Sequence, residues 1–136
     1  MFLLDTNLVS ELRKGTRANP GVSAWIATVD SEDLFLSVLV AGELRQGVER
    51  LRLRDAIAAA RLDRWYVALI DGYSDRLLPV DMRVADLWGR LNVPDPISAV
   101  DGLMAATAIV HGLTLVTRNV RDVARTGVML HNPFTD

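Results

Sequence analysis

Met1-Phe-Leu-Leu-Asp5-Thr-Asn7 is the stretch on which the fold turns. Three apolar residues, Phe2 to Leu4, run straight into a carboxylate, and Thr6 and Asn7 are short polar residues suited to a turn or a helix cap. The run reads as a strand ending at Asp5, with a helix predicted from Leu8 to Lys14 and stopped near Gly15. The same alternation recurs down the chain. Pro20 opens a predicted helix over 21–29 that carries Trp25 on its apolar face. Leu34 to Ser37 reads as a second strand, followed by a helix over 39–53 whose Val40, Leu44, Val48 and Leu51 recur at spacings of three and four.

A further helix is predicted over 56–69. Leu77 to Asp81 reads as a peripheral strand, because Pro79 cannot donate to a central ladder. A helix over 83–91 follows, then a loop over 92–96 with two prolines. Ser98 caps a predicted helix over 99–111, and Gly112 supplies the left-handed residue that ends it. Strands at 113–117 and 128–131 complete the pattern. Short apolar strands alternating with amphipathic helices predict an α/β fold, a three-layer α/β/α sandwich with a mainly parallel sheet of four to five short strands. In such open sheets, ligands sit outside the carboxyl ends of the strands.

Composition narrows the class. The 136 residues fit one domain over 1–136, with half of them hydrophobic and a quarter charged. Asp5 and Glu11 interrupt the N-terminus where a secretory signal would need an apolar run, and no stretch approaches the roughly 18 apolar residues of a membrane span. With no cysteine there is neither a disulfide framework nor a thiolate zinc site, so a cytoplasmic protein without membrane contact is expected. The net charge of −2 does not mark a general nucleic-acid binder. Asp outnumbers Glu thirteen to four, which allows for short, rigid carboxylates at strand ends and caps.

Four acidic positions stand out. Asp5 ends the first strand, where a helix cap is the plain alternative. Glu43 borders the apolar stripe of its helix beside Leu39 and Val40, or else pairs with Arg50 or Gln46 at a solvated edge. Asp101 faces the same way as Ile97, Met104, Ala105 and Ala108, and a carboxylate turned towards a core must be paired, coordinated or protonated. Asp122 follows Thr117 and Asn119 just past the fourth strand. The winding predicted for the chain brings all four to one edge, where clustered carboxylates repel one another unless a cation is shared. An all-oxygen site suits Mg²⁺ or Mn²⁺ better than zinc. Such an ion activates water and stabilises charge on a phosphoryl group. His111 and His131 are read as structural or solvated.

Leu3-Leu-Asp-Thr-Asn7, Val40-Ala-Gly-Glu-Leu44, Ala99-Val-Asp-Gly-Leu-Met-Ala-Ala-Thr-Ala108 and Leu115-Val-Thr-Arg-Asn-Val-Arg-Asp122 together resemble the PIN domain, in particular toxins of the VapC and FitB type. The closing Leu130-His-Asn-Pro-Phe134 is similar to the tail of that group, so the resemblance runs from end to end. It implies the toxin of a type II toxin–antitoxin system, a Mg²⁺- or Mn²⁺-dependent endoribonuclease, usually dimeric and silenced by a cognate antitoxin, sometimes in a larger assembly. It also implies that Asp5, Glu43 and Asp101 bind the metal and act in catalysis. Many relatives have Asp where this chain has Asn119, whereas Asp122 matches a subgroup. The fourth acid is therefore assigned to Asp122, with Asn119 and Thr6 as orienting groups.

Six Arg against three acids between Arg45 and Arg64 read equally as a solvated hairpin and as an RNA or partner surface, with Arg50 and Arg54 as contacts. The apolar excess over 39–69, including Val48, Leu53, Ile57, Leu62 and Trp65, predicts a partner interface. An antitoxin peptide is expected across these helices, with Trp65 as an anchor and a basic side chain reaching the acids. Other classes fit less well. A signalling receiver needs a Lys near its last strand, and the only Lys is Lys14. A magnesium-dependent phosphatase of the haloacid-dehalogenase type needs a second Asp two positions after the first, where this chain has Asn7. A catalytically silent PIN-like binding module remains, and metal titration separates it from the nuclease.

Overall fold

Strand β1 (Phe2–Leu4) lies at the centre of a five-stranded sheet in the computed structural model, which describes residues 1–135. The strand order is β3-β2-β1-β4-β5, with β2 (Leu34–Ser37), β3 (Leu77–Leu78), β4 (Thr114–Val116) and β5 (Leu130–His131). Every neighbouring pair is parallel, and β1 is flanked by Leu34 opposite Phe2 and by Val116 opposite Leu4. Leu3, Leu4, Leu36, Leu115 and Val116 are almost wholly buried, as a parallel sheet covered on both faces requires.

Among the described residues seven helices wrap this sheet: α1 (Thr6–Leu12), α2 (Pro20–Ile26), α3 (Val38–Arg52), α4 (Ala56–Gly72), α5 (Met82–Leu91), α6 (Ala99–His111) and α7 (Val120–Val123). Right-handed crossovers carry α1–α4 over one face on the way from β1 to β3, and α5 and α6 over the other on the return to β4. The helix contacts follow that division: α1 with α2 and α3, α3 with α4, α5 with α6, and α6 with α7. Among the described residues no helix is long and apolar enough to cross a membrane.

The local differences from expectation have local causes. Helix α1 starts at Thr6, because the Asp5 carboxylate is itself the cap and accepts the Thr6 N–H at 2.7 Å. Helix α2 ends at Ile26, three residues short of the predicted limit, where the Thr28 hydroxyl takes the Trp25 carbonyl. Helix α4 runs on to Gly72, whose carbonyl accepts from the Arg76 guanidinium. Arg76 also reaches the carbonyls of Ser31 and Leu34, tying the end of α4 to the start of β2. Val48 is fully buried and so serves the fold, not a partner as predicted. Ser98 precedes α6 but makes no side-chain cap bond to the backbone. The short α7 and the single 3-10 turns at 15–17, 31–33 and 124–126 were not expected.

Candidate active site

The chain lays down β1, β2 and β3 in one direction and then returns to β4 and β5 on the far side of β1. The reversal falls between β1 and β4, and the carboxyl ends of those two strands open a crevice there. Asp5 directly follows β1, and Thr117 and Asn119 follow β4. Helix α3 leaves the same edge with Glu43 in its second turn, and α6 begins there with Asp101 in its first. The result is one open cavity of about 450 Å³ lined by Asp5, Thr6, Asn7, Glu43, Ser98, Val100, Asp101 and Asn119.

Hydroxyl groups hold each acid in place. Thr6 Oγ1 donates to Glu43 Oε1 at 2.5 Å, so Glu43 pairs across the fold with neither Arg50 nor Gln46. Buried Thr117 donates from Oγ1 to Asp5 Oδ2 at 2.6 Å, and its oxygen accepts the Asn119 N–H at 3.0 Å. Ser98 Oγ donates to Asp101 Oδ2 at 2.7 Å, the task it takes in place of capping. Thr117 and Ser98 therefore join the candidate site, a part that the sequence did not assign to them. Their signal was a short hydroxyl residue at a strand end and another three residues before an acid.

Asp122 lines a neighbouring depression of about 370 Å³ with Ser98, Asp101 and Arg125, one step out from the central cavity. Asn119 is the residue after β4 that stands on the central wall. On the opposite side, Trp65 lines a groove of about 190 Å³ with Thr6, Ser10, Arg13, Glu43, Leu44, Gly47 and Leu62. Arg50 and Arg54 are exposed at the far end of the α3–α4 hairpin and line none of these three depressions. The basic residues that share a depression with these acids are Arg13 and Arg125, which the charge count did not single out.

A cluster of ion pairs lies on the α3–α4 hairpin, outside the cavity. Arg45 and Arg52 of α3 bracket Asp63 of α4 and Glu49 at 3.1–3.2 Å. Hydrogen bonding, from Arg45 first at Asp63 and from Arg52 first at Glu49, holds both carboxyls below their ordinary values. The described residues that line the central cavity include three carboxylates and no guanidinium.

The donor set there is all oxygen apart from amide nitrogens, which matches a hard divalent cation. Asn7 on the same wall has a buried Oδ1 with no hydrogen-bond partner, an acceptor that a cation's water would satisfy. Among the described residues no three acids or histidines converge tightly enough to ligate one ion directly. Mg²⁺ characteristically keeps several waters and takes one or two carboxylates, so acids standing around a roomy cavity fit it better than a tight cage would.

A five-stranded parallel sheet with an acid-lined cavity at its switch point defines the class as an open α/β protein with its candidate site at the carboxyl ends of the strands. The PIN domain family model matches residues 2–128. The chain is 34% identical to Toxin FitB of Neisseria gonorrhoeae over all of both chains. It is 33% identical to VapC ribonuclease Y4jK of Sinorhizobium fredii over 98% of each. The crystal structure of FitAcB from Neisseria gonorrhoeae superposes with a TM-score of 0.86 at 33% identity, covering 98% of each chain. The chain belongs to the PIN domain family.

Proposed function

We propose that this chain, taken as a single domain over 1–136, is the toxin of a type II toxin–antitoxin pair and a divalent-metal-dependent endoribonuclease. The observation that carries the reading is the shared cavity of Asp5, Glu43 and Asp101, walled without a basic side chain. Relatives named as a toxin and as a ribonuclease, each matched over nearly its whole length, support the activity.

Asp5, Glu43 and Asp101 would hold Mg²⁺ or Mn²⁺, in part through its waters, with Asn119 and Thr6 orienting the site and Asp122 adding negative charge from the adjoining depression. The ion, when bound, supplies an activated water and offsets charge on the phosphoryl group. The chain's own part is positioning. Thr117 and the Thr6 N–H fix both oxygens of Asp5, Thr6 fixes Glu43, and Ser98 fixes Asp101, so the carboxylates lose little freedom on binding. The products expected from the family resemblance carry a 5′-phosphate and a 3′-hydroxyl.

The α3–α4 hairpin leaves Leu53, Ile57 and Val67 exposed at 90%, 73% and 58%, beside an open depression of about 530 Å³. That apolar face supports an antitoxin segment lying across the hairpin, with a basic side chain extended to the acids, in a homodimer or a larger toxin–antitoxin assembly.

The test is cleavage of single-stranded RNA by purified protein with Mg²⁺, Mn²⁺ or excess chelator. Cleavage should require the ion. It should fall by about two orders of magnitude or more in Asp5→Asn and Asp101→Asn, the scale of losing one charge-stabilising group. Parental rates in both variants contradict the reading.

A further inference from the structure

Three depressions meet end to end along the carboxyl edge of the sheet. The central cavity shares Thr6 and Glu43 with the Trp65 groove, and shares Ser98 and Asp101 with the depression that holds Arg125. The trough is therefore acidic at its middle and carries one Arg at each end. The Trp65 end is the smallest of the three, sized for one planar ring system, and mixes Leu44, Leu62 and the indole with the Arg13 guanidinium 5.8 Å from the ring centroid. At the other end the Arg125 guanidinium is already anchored on the carbonyl oxygens of Leu91 and Asp95. An Arg so anchored has further N–H groups to offer and little side-chain freedom left to lose.

These ends match two different parts of a nucleotide chain. Unpaired bases are recognised by stacking on aromatic rings and guanidinium planes, and phosphates by Arg. We infer that the trough takes an extended single strand of RNA, with a base next to the cut packed into the end lined by Trp65 and Arg13 and a phosphate on the other side of the cut guided by Arg125. This rests on the ribonuclease reading above and adds what selects the substrate. Asp101 and Asp122 offset the charge of Arg125, so that end guides a phosphate without trapping the product. Trp65 is then a specificity residue and not part of the metal site.

The experiment uses the purified protein with Mn²⁺ and a library of short single-stranded RNAs randomised on both sides of the cut, read by end sequencing and by kinetics on a preferred sequence. Trp65→Leu, which keeps apolar volume against the core, should raise KM roughly five- to a hundredfold, the range of base–aromatic stacking, with kcat near the parent's. It should also flatten the preference at one position on one side of the cut, and Trp65→Phe should restore part of it. Arg13→Gln, at the surface, should shift the same position. Arg125→Gln should raise KM without changing that preference and lower the salt slope of binding by about one. If the parent cuts and these variants keep its KM and nucleotide preference, this inference is overturned alone and the groove is left to the protein partner. If the parent cuts no RNA, the ribonuclease reading falls and takes this inference with it.

Discussion

Thr117 shows how much of the site resides in neutral side chains. Its hydroxyl sits between the Asn119 N–H and Asp5 Oδ2, so it sets both the carboxylate's orientation and the path of the backbone after β4. Thr117→Val keeps the shape and deletes that link. The expected outcome is a loss of about ten- to a hundredfold in Mn²⁺ affinity or in cleavage with the melting temperature little changed, measured by titration calorimetry and RNA cleavage. An unchanged affinity and rate would reduce Thr117 to a packing residue. The acids themselves were legible one by one: Asp5 by its place after an apolar run, Glu43 by bordering a stripe, and Asp101 by facing inward. Their hydroxyl partners were not. Thr6 reaches Glu43 across 37 positions and Thr117 reaches Asp5 across 112, pairings that only the folded chain creates. The same holds for Asn119 and Asp122, whose order along the chain does not tell which one stands on the central wall.

The elements were read best where a single residue forces an ending. Strand β2 and helix α6 match their predicted limits, α6 because Gly112 adopts φ 66° in the left-handed region at its end. Limits met by side-chain bonds were missed, as at the end of α4, where the Gly72 carbonyl accepts from Arg76. Arg76→Met should therefore lower stability by about 1–3 kcal/mol in denaturant melts, the scale of hydrogen bonds made by a charged donor. A stability equal to the parent's would show that Ser31, Leu34 and Gly72 do not depend on it. The α3–α4 ion cluster gives a pH signature. Asp63 and Glu49 titrate below their ordinary values when folded, so their contribution is present above pH of about 4 and is lost as pH falls through the folded values. Melting temperatures of the parent and of Asp63→Asn should approach each other below about pH 4. A gap that persists unchanged at low pH would exclude that cause. Added salt should narrow the gap at neutral pH, because the cluster is exposed to solvent.

For the whole molecule, alternation of strand and helix was enough to read a parallel α/β sandwich, but not to order its strands. That order comes from the crossover that carries α5 and α6 back past β1 to β4. The same crossover makes the site, since it returns Asp101 to the edge where Asp5 and Glu43 already stand. It leaves the α3–α4 hairpin on the outside with Leu53, Ile57 and Val67 exposed. Leu53→Lys with Ile57→Lys should keep metal-dependent cleavage and lose the rescue of growth by a cognate antitoxin, scored by co-expression. Full rescue would move the partner surface elsewhere. The convergence of acids is tested most directly by calorimetric titration of Mn²⁺ into the parent, Asp5→Asn, Glu43→Gln and Asp101→Asn proteins. Saturable binding in the parent, weakened at least tenfold by each substitution taken alone, is the predicted result. Parental affinity in any one of the three folded variants would contradict a cation shared by all three side chains.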